Sequence, residues 1–162
     1  MPFSHSTLRL LDVDWHVMDD IQFLVDLRNQ HREFFFDSNP VTFEQTLRWV
    51  RQFSPVRRLF ILWFNGQRVG TIGYRQLDVG EYRLRWLENL AILPEFQGLG
   101  LAKWMLEQMQ EPGMFVLAQV FSSNRKVLRL YKEMGFMRVN PRTIKKCERR
   151  GHEKDSVIAD QR

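Results

Sequence analysis

A mixed α/β (α+β) domain is the fold class this sequence predicts: a central sheet of about six or seven strands with four flanking helices. Three observations predict it. Asn65-Gly66 lies between two runs rich in β-branched and aromatic residues, the strongest short signal for an antiparallel hairpin. A strand-like run at 82–92 is followed by a helical pattern and then a second strand-like run, a unit that favours parallel pairing. No internal repeat or low-complexity linker breaks the chain, so residues 1–162 read as one domain.

The elements follow in order. Residues 8–13 form a short strand. Residues 18–31 place Ile21, Leu24, Val25 and Arg28 at helical spacing. Phe34-Phe35-Phe36-Asp37-Ser38-Asn39-Pro40 is a turn-rich loop with an aromatic cluster. Thr42-Phe43-Glu44-Gln45 fits a capping box and opens a second helix, which Pro55 closes off. Strands at 58–64 and 68–77 flank the Asn65-Gly66 turn. Asp78-Val79-Gly80 is a second turn, and 82–92 is the next strand. A helix is expected over 98–110, with Leu101, Met105, Leu106 and Met109 on one face, stopped by Glu111-Pro112-Gly113. A strand at 114–121 and a helix at 124–134 follow, with Gly135 as the helix stop. Residues 136–146 and 155–158 read as two last strands around Gly151. The order is β-α-α-β-β-β-α-β-α-β-β.

Composition narrows the function classes. The chain has 162 residues, enough to bury a full core without a metal or disulfide staple. Thirteen Phe, five Trp and three Tyr exclude a disordered polar chain. A lone Cys147 excludes an internal disulfide framework and a multi-cysteine zinc site, and His5, His16, His31 and His152 form no metal-ligand spacing, so no metal is expected. The longest strongly apolar run, Leu59-Phe60-Ile61-Leu62-Trp63-Phe64, is too short to cross a bilayer, and the first residues resemble no secretory leader. A cytoplasmic enzyme or binding domain is the expectation. The net charge is +5. Residues 138–154 carry seven Lys/Arg against two Glu, so this segment holds the whole excess. Such a strip attracts anions, but charge runs are usually solvated faces.

The chemistry begins at Pro94-Glu95-Phe96-Gln97-Gly98-Leu99-Gly100-Leu101-Ala102-Lys103. Small residues between a strand and a helix let the backbone approach a ligand closely. The unbonded N–H groups of the helix start and its dipole suit a phosphate or pyrophosphate. Glycines used only for tight packing would look the same. The pattern lacks the Gly-x4-Gly-Lys-Ser/Thr of a Walker A loop. The turn also follows several strands and a hairpin rather than opening a doubly wound sheet, which disfavours a dinucleotide-binding Rossmann turn. Further on, Asn124 and Tyr131 stand seven residues apart and share a helix face, ahead of Gly135-Phe136.

Together these residues resemble the GNAT superfamily of acyl-CoA-dependent N-acetyltransferases. Gln97-Gly98-Leu99-Gly100-Leu101-Ala102 matches its signature Gln/Arg-x-x-Gly-x-Gly/Ala in full. Asn124 and Leu130-Tyr131 through Gly135-Phe136 are similar to its second signature. The first half, with Leu27-Arg28-Asn29 and the 42–49 helix, resembles the branch of ribosomal-protein and amino-sugar acetyltransferases.

The resemblance implies roles. Acetyl-CoA would be the co-substrate. Its pantetheine arm would pair with the backbone of Leu90, Ala91 and Ile92. Its pyrophosphate would sit on the N–H groups of residues 98–103. Asn124 would hold it by a side-chain amide, and Tyr131 would protonate the departing thiolate. A phenol remains a donor until the pH nears about 10, which suits that role. The Leu90 N–H could stabilise the oxyanion. Direct attack by an amine needs no enzyme nucleophile, so Cys147 would be incidental.

For the amine's proton, Glu88 is the local candidate. It interrupts an otherwise apolar stripe of Tyr82, Leu84, Trp86, Leu90 and Ile92, and is a general base, one half of an ion pair with an Arg, or a residue of a cleft edge open to water. Some relatives place a Glu five residues before the Asn, where this chain has Gln119, which cannot act as a base.

The leading reading is an N-acetyltransferase for a small-molecule amine, an amino-sugar or a protein N-terminal amine, with no membrane partner and with a homodimer as an open arrangement. A catalytically silent acyl-CoA-binding module is the second. A nucleic-acid-binding protein using residues 138–154 is the third, disfavoured by the lack of any reader motif.

Overall fold

The computed structural model describes residues 7–35, 37–139 and 156–161. Its strands are β1 (Leu8–Asp12), β2 (Arg57–Phe64), β3 (Gln67–Val79), β4 (Tyr82–Ile92), β5 (Met114–Phe121), β6 (Met137–Val139) and β7 (Ser156–Gln161). Its helices are α1 (Met18–Gln30), α2 (Phe43–Val50), α3 (Leu101–Gln108) and α4 (Arg125–Glu133). Hydrogen bonding orders the strands β1-β2-β3-β4-β5-β7-β6. β1 is antiparallel to β2, whereas β4–β5, β5–β7 and β6–β7 are parallel, so the sheet is mixed as expected. Residues 1–73 and 89–105 form one compact unit and residues 74–88 and 106–162 a second.

In the first unit the local sequence signals act as read. Asn65 and Gly66 both take positive φ, at 50° and 81°, the geometry of a type I′ hairpin turn. The Thr42 hydroxyl accepts from the Gln45 N–H at 3.2 Å, and the Gln45 side chain accepts from the Thr42 N–H at 2.8 Å, completing the capping box. The amphipathic faces of α1 and α2 then bury Ile21, Leu24 and Val50 with Leu59 and Ile61 of β2, and Phe43, Leu47 and Trp49 pack against this cluster.

Several boundaries differ from the sequence reading, and two of these shape the turns around the site. α3 begins at Leu101 rather than at residue 98, because Gly98 and Gly100 take φ of 78° and 81° and cannot continue a right-handed helix. β3 runs through Asp78 to Val79, which leaves Gly80-Glu81 as the turn.

In the second unit β4 corrects a larger expectation. Its apolar stripe was assigned to Tyr82, Leu84, Trp86, Glu88, Leu90 and Ile92. The buried residues are instead Arg85, Leu87, Ala91 and Ile92, while the other stripe members are half-buried. Arg85 is held inside by its two terminal nitrogens, while its Nε is buried without a hydrogen-bond partner. Nη1 donates to the Met109 carbonyl at 2.7 Å, Nη2 donates to Glu111, and the guanidinium lies 4.5 Å from the Tyr74 ring centroid. Arg85→Met leaves the Met109 carbonyl buried without its donor. We expect a loss of about 2 kcal/mol and a melting midpoint lower by roughly 4–8 °C. An unchanged midpoint in thermal denaturation would show that the buried guanidinium contributes nothing.

α4 closes through the Phe136 N–H, which donates to the Tyr131 carbonyl at 3.0 Å, and Gly135 takes a φ of 83°. The last two strands are parallel to each other, with Met137 opposite Val157. Most of the basic strip, with Cys147 and Gly151, lies outside the described residues, as does Phe36.

Candidate functional site

The first unit holds the glycine turn and the end of β4. Residues 97–100 are exposed, and nothing lies within 4 Å of where a Cβ would stand on Gly98 or Gly100. The first helical bond here runs from the Trp104 N–H to the Gly100 carbonyl at 3.0 Å. The N–H groups of Leu101, Ala102 and Lys103 therefore precede the helical ladder, as at any helix start. Backbone donors, a helix N-terminus and open space beside two left-handed glycines together make a cradle that fits a phosphate-bearing ligand. Leu101 is buried and anchors the helix, Ala102 is half-buried, and Leu99 is exposed at the turn's tip.

Gln97 has a different task from its turn neighbours. Its Nε2 donates to the Ile92 carbonyl at 3.1 Å, tying the turn to β4. His31, which the sequence left as an ordinary surface residue, is half-buried and bonds the same carbonyl through Nε2 at 3.0 Å. Of the strand residues assigned to the ligand, Leu90 is half-buried, while Ala91 and Ile92 are buried.

Asn89 escaped the sequence reading. It takes a φ of 56°, a left-handed conformation within a strand. Beyond it two consecutive residues, Ala91 and Ile92, are both buried, so Ile92 departs from the alternation that Arg85, Leu87 and Ala91 keep. The available signal was residue type: Asn is the non-glycine residue that tolerates this region best.

The second unit holds Glu88, Asn124 and Tyr131. The β4–β5 register runs from Arg83 opposite Met114 to Leu87 opposite Ala118, and β4 continues beyond that last pair. Asn124 caps α4: its Oδ1 accepts from the Val127 N–H at 3.4 Å, which leaves its amide NH2 outside the cap. Tyr131 is 2% exposed, and its ring lies 4.8 Å from that of Phe136. Burial pushes its phenol above the ordinary value, so the group is a proton donor throughout the neutral range. Glu88 is half-buried and forms an ion pair with Arg75. Arg75 Nη2 donates to its Oε1 at 3.0 Å. Gln119 is half-buried on β5. The residues proposed for the ligand are thus divided, with 90–92 and 97–103 in the first unit and Glu88, Asn124 and Tyr131 in the second.

Among the described residues no group of three or more metal-binding side chains occurs, and no helix is long and apolar enough to cross a membrane.

Comparison with known proteins adds an independent line. No curated protein matches the chain in sequence. Solved structures share its fold. An acetyltransferase from Thermus thermophilus is 24% identical with a TM-score of 0.68, covering 83% of this chain and 89% of its own. The RimL ribosomal α-N-protein acetyltransferase in complex with coenzyme A is 11% identical with a TM-score of 0.63, covering 78% of each chain. Arabidopsis thaliana NAA60 in complex with acetyl-CoA is 15% identical with a TM-score of 0.63, covering 83% of this chain and 85% of its own. The acetyltransferase (GNAT) family model matches residues 24–136, a stretch that contains the glycine turn, Asn124, Tyr131 and Gly135-Phe136. Both signatures lie inside a match that spans more than half of the sequence, and the chain belongs to the GNAT acetyltransferase family.

Proposed function

We propose that the chain, working as a single catalytic domain, transfers the acetyl group of acetyl-CoA directly to a primary amine. The observation that carries this reading is the open cradle at Gly98 and Gly100, set directly before the unbonded N–H groups of α3. Family membership and neighbours whose structures contain acetyl-CoA or coenzyme A support it.

The thioester supplies an activated acyl carbon: attack by the amine forms the C–N bond and breaks the C–S bond. The chain's residues do the rest. The backbone N–H groups of 98–103 bind the pyrophosphate. Leu90, Ala91 and Ile92 offer backbone groups to the pantetheine arm. The Ile92 carbonyl already accepts from Gln97 and His31, so Leu90 and Ala91 carry most of that pairing. The Asn124 amide, outside its cap, is free to donate to the ligand. Tyr131 gives its proton to the sulfur, and the amine's proton passes to water, with Glu88 engaged by Arg75.

Titration calorimetry with acetyl-CoA tests the reading. Micromolar binding is expected, weakened by roughly thirtyfold or more, about 2 kcal/mol, in a Gly98→Glu/Gly100→Glu double variant. The new carboxylates fill the open space and repel phosphate. No binding by the unaltered protein would reject the transferase reading. Equal binding by both would move the donor away from the turn.

A further inference from the structure

A cavity of about 460 Å³ lies in the first unit, walled by α1, α2, the loop that joins them, and β4. The size suits a small molecule. Much of its wall is apolar: Leu24 and Leu27 of α1, Trp49 of α2 and Leu59 of β2. Asn89 and Ala91 of β4 also line it, so it borders the strand end to which the pantetheine arm is assigned.

Polar residues line much of the rest, among them Arg28, Asp37 and Gln45. The Arg28 guanidinium centre lies 4.0 Å from the Phe35 ring centroid, and Nη2 donates to the Asp37 carbonyl. Nη1 is buried with no hydrogen-bond partner. Burial lowers the pKa of Arg28, and the Asp37 carboxylate works against that. A buried donor left unpaired costs free energy, and native structures rarely leave one so. The missing partner is an acceptor, and the group that best matches a guanidinium edge is a planar oxyanion. Asp37 also lines the cavity. That carboxylate repels any anion placed there, and a dianionic phosphate more than a singly charged carboxylate.

We infer that this cavity selects a small amine carrying a carboxylate and an apolar body, of the apolar amino-acid class, with the carboxylate held on Arg28 Nη1 and the body against Leu24, Leu27 and Trp49. The amine's part in this rests on the transferase reading; the carboxylate site does not.

Fluorine NMR of the full chain without coenzyme A tests the site, using (4-fluorophenyl)acetate and (4-fluorophenyl)acetamide as probes. The carboxylate is expected to bind about tenfold or more tightly than the amide, and Arg28→Gln to abolish the difference. Arg28→Lys keeps the charge without the fork, and should retain part of the preference. It also guards against a Gln variant that loses its loop, which a melting curve detects. Equal binding of the two probes, binding of neither, or a preference that survives Arg28→Gln would overturn the inference. So would stronger displacement of the probe by inorganic phosphate than by acetate. Carboxylate binding together with failed acetyl-CoA calorimetry would retain the site and reject the transferase. The reverse result would retain the transferase and reject the site.

Discussion

Tyr131→Phe should cut turnover by about a hundredfold or more, with the melting midpoint and acetyl-CoA affinity near those of the parent. The ring stays, and with it the packing on Phe136. Only the hydroxyl is lost, and with it the proton for the leaving sulfur. Steady-state release of free thiol, with calorimetry on the same preparations, separates the two parameters. Unchanged turnover would leave the phenol without a catalytic role. The pH dependence has a definite sign. Burial raises the phenol's pKa in the folded chain, so the proton is held more tightly folded than unfolded. The linked stability is complete below the unfolded value of about 10 and is lost as the pH rises beyond it towards the folded value. The kcat profile should accordingly show no loss of this acid up to about pH 10.

Gly70→Ala and Gly73→Ala should each destabilise the fold by about 3 kcal/mol, lowering the melting midpoint by roughly 6–12 °C. A Cβ on Gly70 would stand 2.7 Å from the Ala91 carbonyl oxygen, and one on Gly73 would stand 2.8 Å from that of Arg58. Both obstacles are backbone atoms, which cannot step aside without disturbing the strands that carry them. Gly80 offers the contrast: its surroundings are open, and Gly80→Ala should cost only the 1–2 kcal/mol of a left-handed backbone. Equal midpoints for the three variants in thermal denaturation would show that the strands move apart freely at Gly70 and Gly73.

Much of the architecture was legible because its signals are local. The capping box at Thr42, the Asn65-Gly66 turn and the Gly135 stop each act within a few residues, and each stands where the sequence put it. The glycine turn and the 124–136 segment were legible as motifs. What the sequence hid depends on partners distant in the chain. Arg85 reads as an exposed strand residue until Met109, Glu111 and Tyr74 meet it. The close approaches at Gly70 and Gly73 need neighbouring strands. Period-2 alternation allows two parities, and the apolar types at Tyr82, Leu84 and Trp86 pointed to one face of β4 while Arg85 and Leu87 bury the other. His31 reads as solvated until Ile92 is placed beside it, 61 residues away.

That Ile92 carbonyl has a wider consequence. One oxygen holds the last residue before the glycine turn through Gln97 and the end of α1 through His31. Arg28 lies one helical turn before His31. The bond that anchors the glycine turn and the bond that anchors the end of α1 therefore share one atom. Under the proposed reading, a shift of that one peptide group would reach both the turn assigned to the donor and the helix that carries Arg28.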